Sequence, residues 1–132
     1  MEDKNITLTN YEMEKACEIL DKFLDRTDIL GYAAARNIRR LHEASVDHEK
    51  RKNDLLNEYG KPIYDDNGND TGQRKIGIDD ENYDKVLNQL NVSGNIEHTI
   101  TIFSISYGDI LNLSDPLTGR EIMDLEWMLI DD

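Results

Sequence analysis

The chain has a single cysteine, Cys17, and only two prolines in 132 residues. One thiol excludes a disulfide framework within the chain and gives no sign of an oxidising compartment. Aromatic side chains are sparse, with one Trp, two Phe and six Tyr, so the core must be lean and built mostly from Leu and Ile. No apolar run approaches the roughly 20 residues of a membrane-spanning helix. The opening Met1-Glu2-Asp3-Lys4-Asn5 lacks signal-peptide character. The expectation is a soluble, cytoplasmic protein of one domain.

Positive charge is also short. Fifteen Lys and Arg face 28 Asp and Glu, for a formal net charge of −13. Such a surface repels nucleic acid at long range and favours basic partners, so direct nucleic-acid binding is not expected. Catalytic and metal-binding spacings are missing too: there is no CxxC, HxxxH, HExxH or GxSxG, and no Gly-rich phosphate loop. The turn Asp65-Asp66-Asn67-Gly68-Asn69-Asp70 offers a calcium-like register. However, Asp70 stands where the loop needs Gly, and Ile76 where it needs a bidentate Glu. The reading is a non-enzyme without metal or cofactor.

The charge that is present is uneven. Residues 1–25 hold three bases and seven acids, 26–59 seven and six, and 60–132 five and fifteen. Thr9 with Glu12 makes a capping box. The helix it opens carries Met13, Ala16, Cys17, Leu20, Phe23 and Leu24 on one face. Asp28 can cap a second helix running from Ile29 to Tyr59, where Gly60 and Pro62 stop it. Ser45, His48 and Lys52 interrupt its apolar stripe. Some 30 residues of helix make a rod about 45 Å long. A first helix half that length cannot cover it, which predicts packing on the C-terminal half or self-association as a dimer or higher oligomer.

Beyond residue 60, two short apolar stretches flank Asn67-Gly68, a hairpin signal. Asp79-Asp80-Glu81 opens a short helix through Tyr83, Val86, Leu87 and Leu90. Ile96–Tyr107 is the best strand and carries apolar residues on both faces, as a central strand does. Ile110, Leu111 and Leu113 suggest another strand or an irregular stretch. Thr118 with Glu121 opens a closing helix. The predicted fold class is α+β: an N-terminal antiparallel helical hairpin with one long helix (1–60), then an acidic half (61–132) with a small antiparallel sheet and two short helices.

Two groups of side chains are candidates for binding. Arg36, Arg39 and Arg40 lie on neighbouring turns of a helix, with Tyr32 one turn earlier. Arginine forks suit carboxylates and phosphates, so the cluster reads either as an anion site or as internal partners for the surplus acids. Asp79, Asp80, Glu81, Asp84, Asp131 and Asp132 form the candidate acidic surface for a basic partner.

The order of features resembles a family. Ile6-Thr7-Leu8-Thr9-Asn10 opens the chain, and Asn57-Glu58-Tyr59-Gly60-Lys61 ends the long helix. The Asp-Asn-Gly turn, the helix around Tyr83, Leu113-Ser114 and the closing Asp124–Asp131 segment follow. This arrangement resembles small acidic tailed-phage and prophage proteins of unknown function. The resemblance carries over no catalytic residue and implies a viral or prophage origin and action by binding in the host bacterial cytoplasm. Three readings follow. One is an accessory protein that inhibits a host defence protein by presenting a nucleic-acid-like acidic surface. Another is a virion-assembly or tail-associated oligomer. The third is a sponge for an anionic, nucleotide-like signal at Arg36, Arg39 and Arg40.

Overall fold

The computed structural model describes residues 2–132. In chain order the elements are β1 (Glu2–Thr9), α1 (Asn10–Asp21), α2 (Ile29–Ala44), α3 (Val46–Tyr59), β2 (Lys61–Tyr64), β3 (Asp70–Lys75), α4 (Tyr83–Gly94), β4 (Glu97–Ser106), α5 (Tyr107–Leu111), α6 (Gly119–Leu125), a 3-10 turn (Glu126–Met128) and β5 (Leu129–Ile130). The chain is thus a mixed α and β protein. No helix among the described residues is long and apolar enough to cross a membrane. Two compact units emerge: residues up to Ala44 together with Glu97–Asp132, and Ser45–Ile96. These units do not coincide with the halves cut at residue 60 by the charge map.

In the first unit the sheet order is β1-β4-β5. β1 runs antiparallel to β4 from Glu2↔Ser104 to Thr9↔Glu97, and β5 adds in parallel at Ile105↔Leu129. The sheet is therefore mixed rather than antiparallel, and its first strand precedes the helices. Ile6 and Leu8 alternate with Asn5, Thr7 and Thr9, a period of two over too few residues to stand out against the helix that follows. β4 is the central strand, as its two-sided apolar pattern predicts. Below the sheet, Met13, Ala16 and Leu20 of α1 meet Leu30, Ala33, Ala34 and Leu41 of α2. Ile102, Ile105, Ile110, Leu125, Met128 and Leu129 complete this core.

Both capping boxes form. Thr9 Oγ1 accepts from the Glu12 amide at 3.1 Å, and the Thr9 amide donates to Glu12 Oε1 at 2.9 Å. The Thr118 and Glu121 pair does the same at 3.2 and 2.9 Å. Asp28 caps α2, accepting from the Gly31 amide at 3.2 Å. Arg26 holds Asp28 from the other side, Nη2 to Oδ2 at 2.7 Å, and reaches across to the Asp115 carbonyl at 2.5 Å. The Arg26 hydrogen bond keeps the Asp28 carboxyl below the usual range. A depressed carboxylate contributes stability that is complete above its unfolded pKa and lost as pH falls through the folded one. Acid melts should therefore show an Asp28-dependent loss below about pH 4. That loss should vanish in Asp28→Asn, and equal acid sensitivity of the two proteins would refute the assignment.

The single long helix from Ile29 to Tyr59 is corrected. Ser45 leaves helical geometry (φ −103°, ψ 11°) and ends α2 at Ala44. Ser45 and His48 are both buried, and of the polar residues that interrupt the stripe it is Ser45 that marks the break.

In the second unit α3 packs on α4, where Leu55 and Val86 are buried, and His48 Nδ1 lies 2.8 Å from Ser93 Oγ. The β2–β3 hairpin turns at the Asn67-Gly68 signal. Asp65 Oδ1 accepts from the Asn67 and Asn69 amides, and Gly68 takes φ 79°, a conformation that favours glycine. In the first unit, Ile110 and Leu111, expected as a strand or irregular stretch, lie in helix α5, capped by Ser106 Oγ accepting from the Asp109 amide at 3.1 Å. The two short helices expected after residue 60 are three: α4, α5 and α6.

Candidate functional site

α2 straddles the open side of β4. Its Ala33, Ala34 and Leu41 enter the core below the sheet. Asn37, fully buried, sits at the strand edge. Its Nδ2 donates to the Phe103 carbonyl at 2.8 Å, and its Oδ1 accepts from the Phe103 amide at 2.7 Å. The side chain thereby stands in for the next strand of the sheet at this residue. One turn along, Arg40 Nη1 donates to the Thr101 carbonyl at 2.9 Å, and residues two apart on a strand turn their backbone groups the same way.

Above the sheet, the same helix lays cations on rings. The Arg40 guanidinium carbon stands 4.0 Å from the Phe103 ring centre and that of Arg36 4.9 Å. Arg36 also lies 5.9 Å from the Tyr32 ring. Tyr32 and Phe103 are 6.3 Å apart and tilted by 59°. Such contacts contribute about 0.5–1 kcal/mol each at exposed sites. Arg40 Nη1 is also 3.5 Å from the Asp3 carboxylate, so this arm of its guanidinium is committed within the fold. Arg36 and Arg39 differ. Both are exposed, and neither pairs with a carboxylate among the described residues. In a unit where 17 acids face 8 bases, two neighbouring guanidiniums with no carboxylate partner among the described residues are the feature that points to a ligand.

The chain matches no family model, no curated protein and no solved structure.

Of the sequence candidates, Tyr32, Arg36 and Arg40 therefore share one face, with Arg39 beside them on the helix. Internal pairing accounts for Arg40 but not for Arg36 or Arg39. Two participants went unread, Phe103 and Asn37. Asn37 had a readable signal, since it falls among Ala33, Ala34 and Leu41 where the apolar face should continue. Phe103 had none, because its role needs the tertiary approach of α2.

The acidic candidates are divided between the units. Asp79, Glu81 and Asp84 are exposed, without an ion pair among the described residues. Asp80 serves the fold. It accepts from the Asn82 amide at 2.9 Å and faces Lys61 at 3.5 Å, and the backbone bond holds its carboxyl below the ordinary range. Asp131 and Asp132 lie in the other unit. There Asp132 Oδ1 accepts from the Gly108 amide at 3.3 Å.

Proposed function

We propose that this chain is a non-catalytic binding protein that takes an anionic, nucleotide-like small molecule on Tyr32, Arg36 and Arg39. The observation that carries this reading is the pair of exposed guanidiniums, neither with a carboxylate partner among the described residues, next to the half-exposed Tyr32 ring. Arginine forks bind phosphate with two parallel hydrogen bonds, and an aromatic face accepts a stacked base. Arg40 supports the site from beneath, holding Phe103 in place. The test is calorimetric titration of a panel of mono- and dinucleotides into the whole chain. Saturable binding should weaken about tenfold or more in Arg36→Ala and in Arg39→Ala, since a hydrogen bond to a charged group contributes about 1.5–3 kcal/mol. Arg39 is exposed and makes no hydrogen bond or ion pair among the described residues, so its variant should melt like the parent. Binding that survives the double substitution excludes this face.

A second reading is supported by Asp79, Glu81 and Asp84: a phage or prophage accessory protein whose acidic surface engages a basic host protein. Capture of that protein from a bacterial extract should weaken with salt. It should weaken as well when the three acids become Asn, Gln and Asn, and unchanged capture by that variant eliminates the reading.

A further inference from the structure

We propose that β1 is a docking edge for an extended, basic peptide that adds to the sheet as a further strand, independently of the arginine face. Hydrogen-bond parity along β4 fixes which backbone groups of β1 are open. Phe103 gives both its N–H and its C=O to Asn37, so its opposite residue, Asp3, forms a non-hydrogen-bonded pair with it. The bonded pairs are then Glu2, Lys4, Ile6 and Leu8 with their partners on β4. Asp3, Asn5 and Thr7 turn N–H and C=O outward. All three residues are exposed, β1 ends the sheet, and no described residue bonds to these backbone groups. An edge of this kind is a template for another strand.

A groove of about 230 Å³ adjoins the same strand. Its walls are Leu8 of β1, the Glu12, Lys15, Ala16 and Ile19 face of α1, and Trp127. An edge strand beside a helix, with an apolar slot between them, is the geometry in which extended peptides dock. The main chain supplies affinity, and alternate side chains supply specificity. Side chains of an added strand on the Leu8 face would enter the slot, which has room for one large apolar residue. Charge selects the rest of the occupant. Acids outnumber bases in this unit by about two to one, so Lys or Arg flanking the apolar anchor is attracted. A second copy of the chain would bring the same excess of acids and set like charges together, which disfavours β1 pairing with itself.

The probe is a labelled octapeptide alternating lysine with valine and phenylalanine, titrated into the whole chain by fluorescence anisotropy. We expect saturable binding that weakens as salt rises. The peptide should slow hydrogen exchange at the Asn5 and Thr7 amides and not at the Lys4 or Ile6 amides, which are already bonded. N-methylation of alternate peptide amides should abolish binding. Asn5→Pro removes one outward donor without touching a β1–β4 backbone bond and should weaken binding about tenfold. Asn5→Ala, which loses the same Thr101 Oγ1 to Asn5 Oδ1 hydrogen bond (2.6 Å) but keeps the donor, should bind like the parent, and so should Arg36→Ala. Equal binding by the N-methylated peptide, or no added protection at Asn5 and Thr7, overturns the proposal. So does a doubled solution mass with those amides already protected before peptide is added, because a second copy would then hold the edge.

Discussion

Replacing Asn37 by leucine should destabilise the first unit by about 2–4 kcal/mol, because two backbone groups of Phe103 lose their partners at once and each unsatisfied group costs about 1–3 kcal/mol. Leucine keeps asparagine's branching but is larger and more apolar, so a loss of stability cannot come from reduced volume or hydrophobicity. Asn37→Ala, which cannot overpack, should lose at least as much if the edge hydrogen bonds, 2.7 and 2.8 Å long in the parent, carry the effect rather than crowding. Asn37→Asp separates the two bonds. Its carboxylate can still accept from the Phe103 amide but turns an anionic oxygen toward the Phe103 carbonyl. Burial and that repulsion raise its folded pKa. A group raised in this way is fully favourable below its unfolded pKa and loses that contribution as pH rises through the folded value. Urea unfolding should therefore find the Asp variant weaker than the Leu variant at pH 7 and partly recovered near pH 4. A Leu variant as stable as the parent would show that the edge bonds contribute nothing.

Gly31→Ala should be nearly as damaging, at about 3 kcal/mol, the upper end of the usual range for forced overpacking. A Cβ at Gly31 would lie well inside contact distance of the Arg26 carbonyl, which is backbone. Relief requires α2 to move, yet Leu30, Ala33 and Ala34 of its first turns are fully buried. The loop cannot yield easily either, since Arg26 is tied to Asp28 and to the Asp115 carbonyl. Gly108→Ala is the matched control. Its Cβ would meet only the end of the Asp132 side chain, which can swing away, so the cost should stay within about 0.5 kcal/mol. If thermal unfolding shows the two variants equally stable, the Arg26 loop is more pliant than its bonds suggest.

Much of this fold is legible locally. Thr9 with Glu12, Thr118 with Glu121, Asp28 and Asn67-Gly68 each act within a few residues, and each does what its chemistry predicts. β4 is visible as a long run with apolar residues on both faces, whereas β1 is hidden because its alternation is short and its partner lies some ninety positions away. The helix break at Ser45 was announced by polar residues on an apolar stripe and misread, since an uninterrupted absence of Pro and Gly argued for continuity. The arginine cluster was visible on a helical wheel. Its division into a supporting Arg40 and available Arg36 and Arg39 was not, because Phe103, Thr101 and Asp3 reach it only through the sheet.

The pairing of β1 with β4 also bears on how the chain is made. Residues 45–96, a compact unit of their own, intervene between α2 and the strand that β1 requires. During synthesis β1 and α1 emerge early and wait unpaired while the whole insert is translated, at about 5–20 residues per second. If the insert folds first it shortens the loop that must close, and loop-closure entropy grows only slowly with length in any case. Lengthening the insert at the β2–β3 turn should therefore leave refolding of the first unit almost unchanged. A circular permutant that opens the chain between Ala44 and Ser45, placing β4 ahead of β1, should bring the two strands much nearer in sequence and speed their pairing.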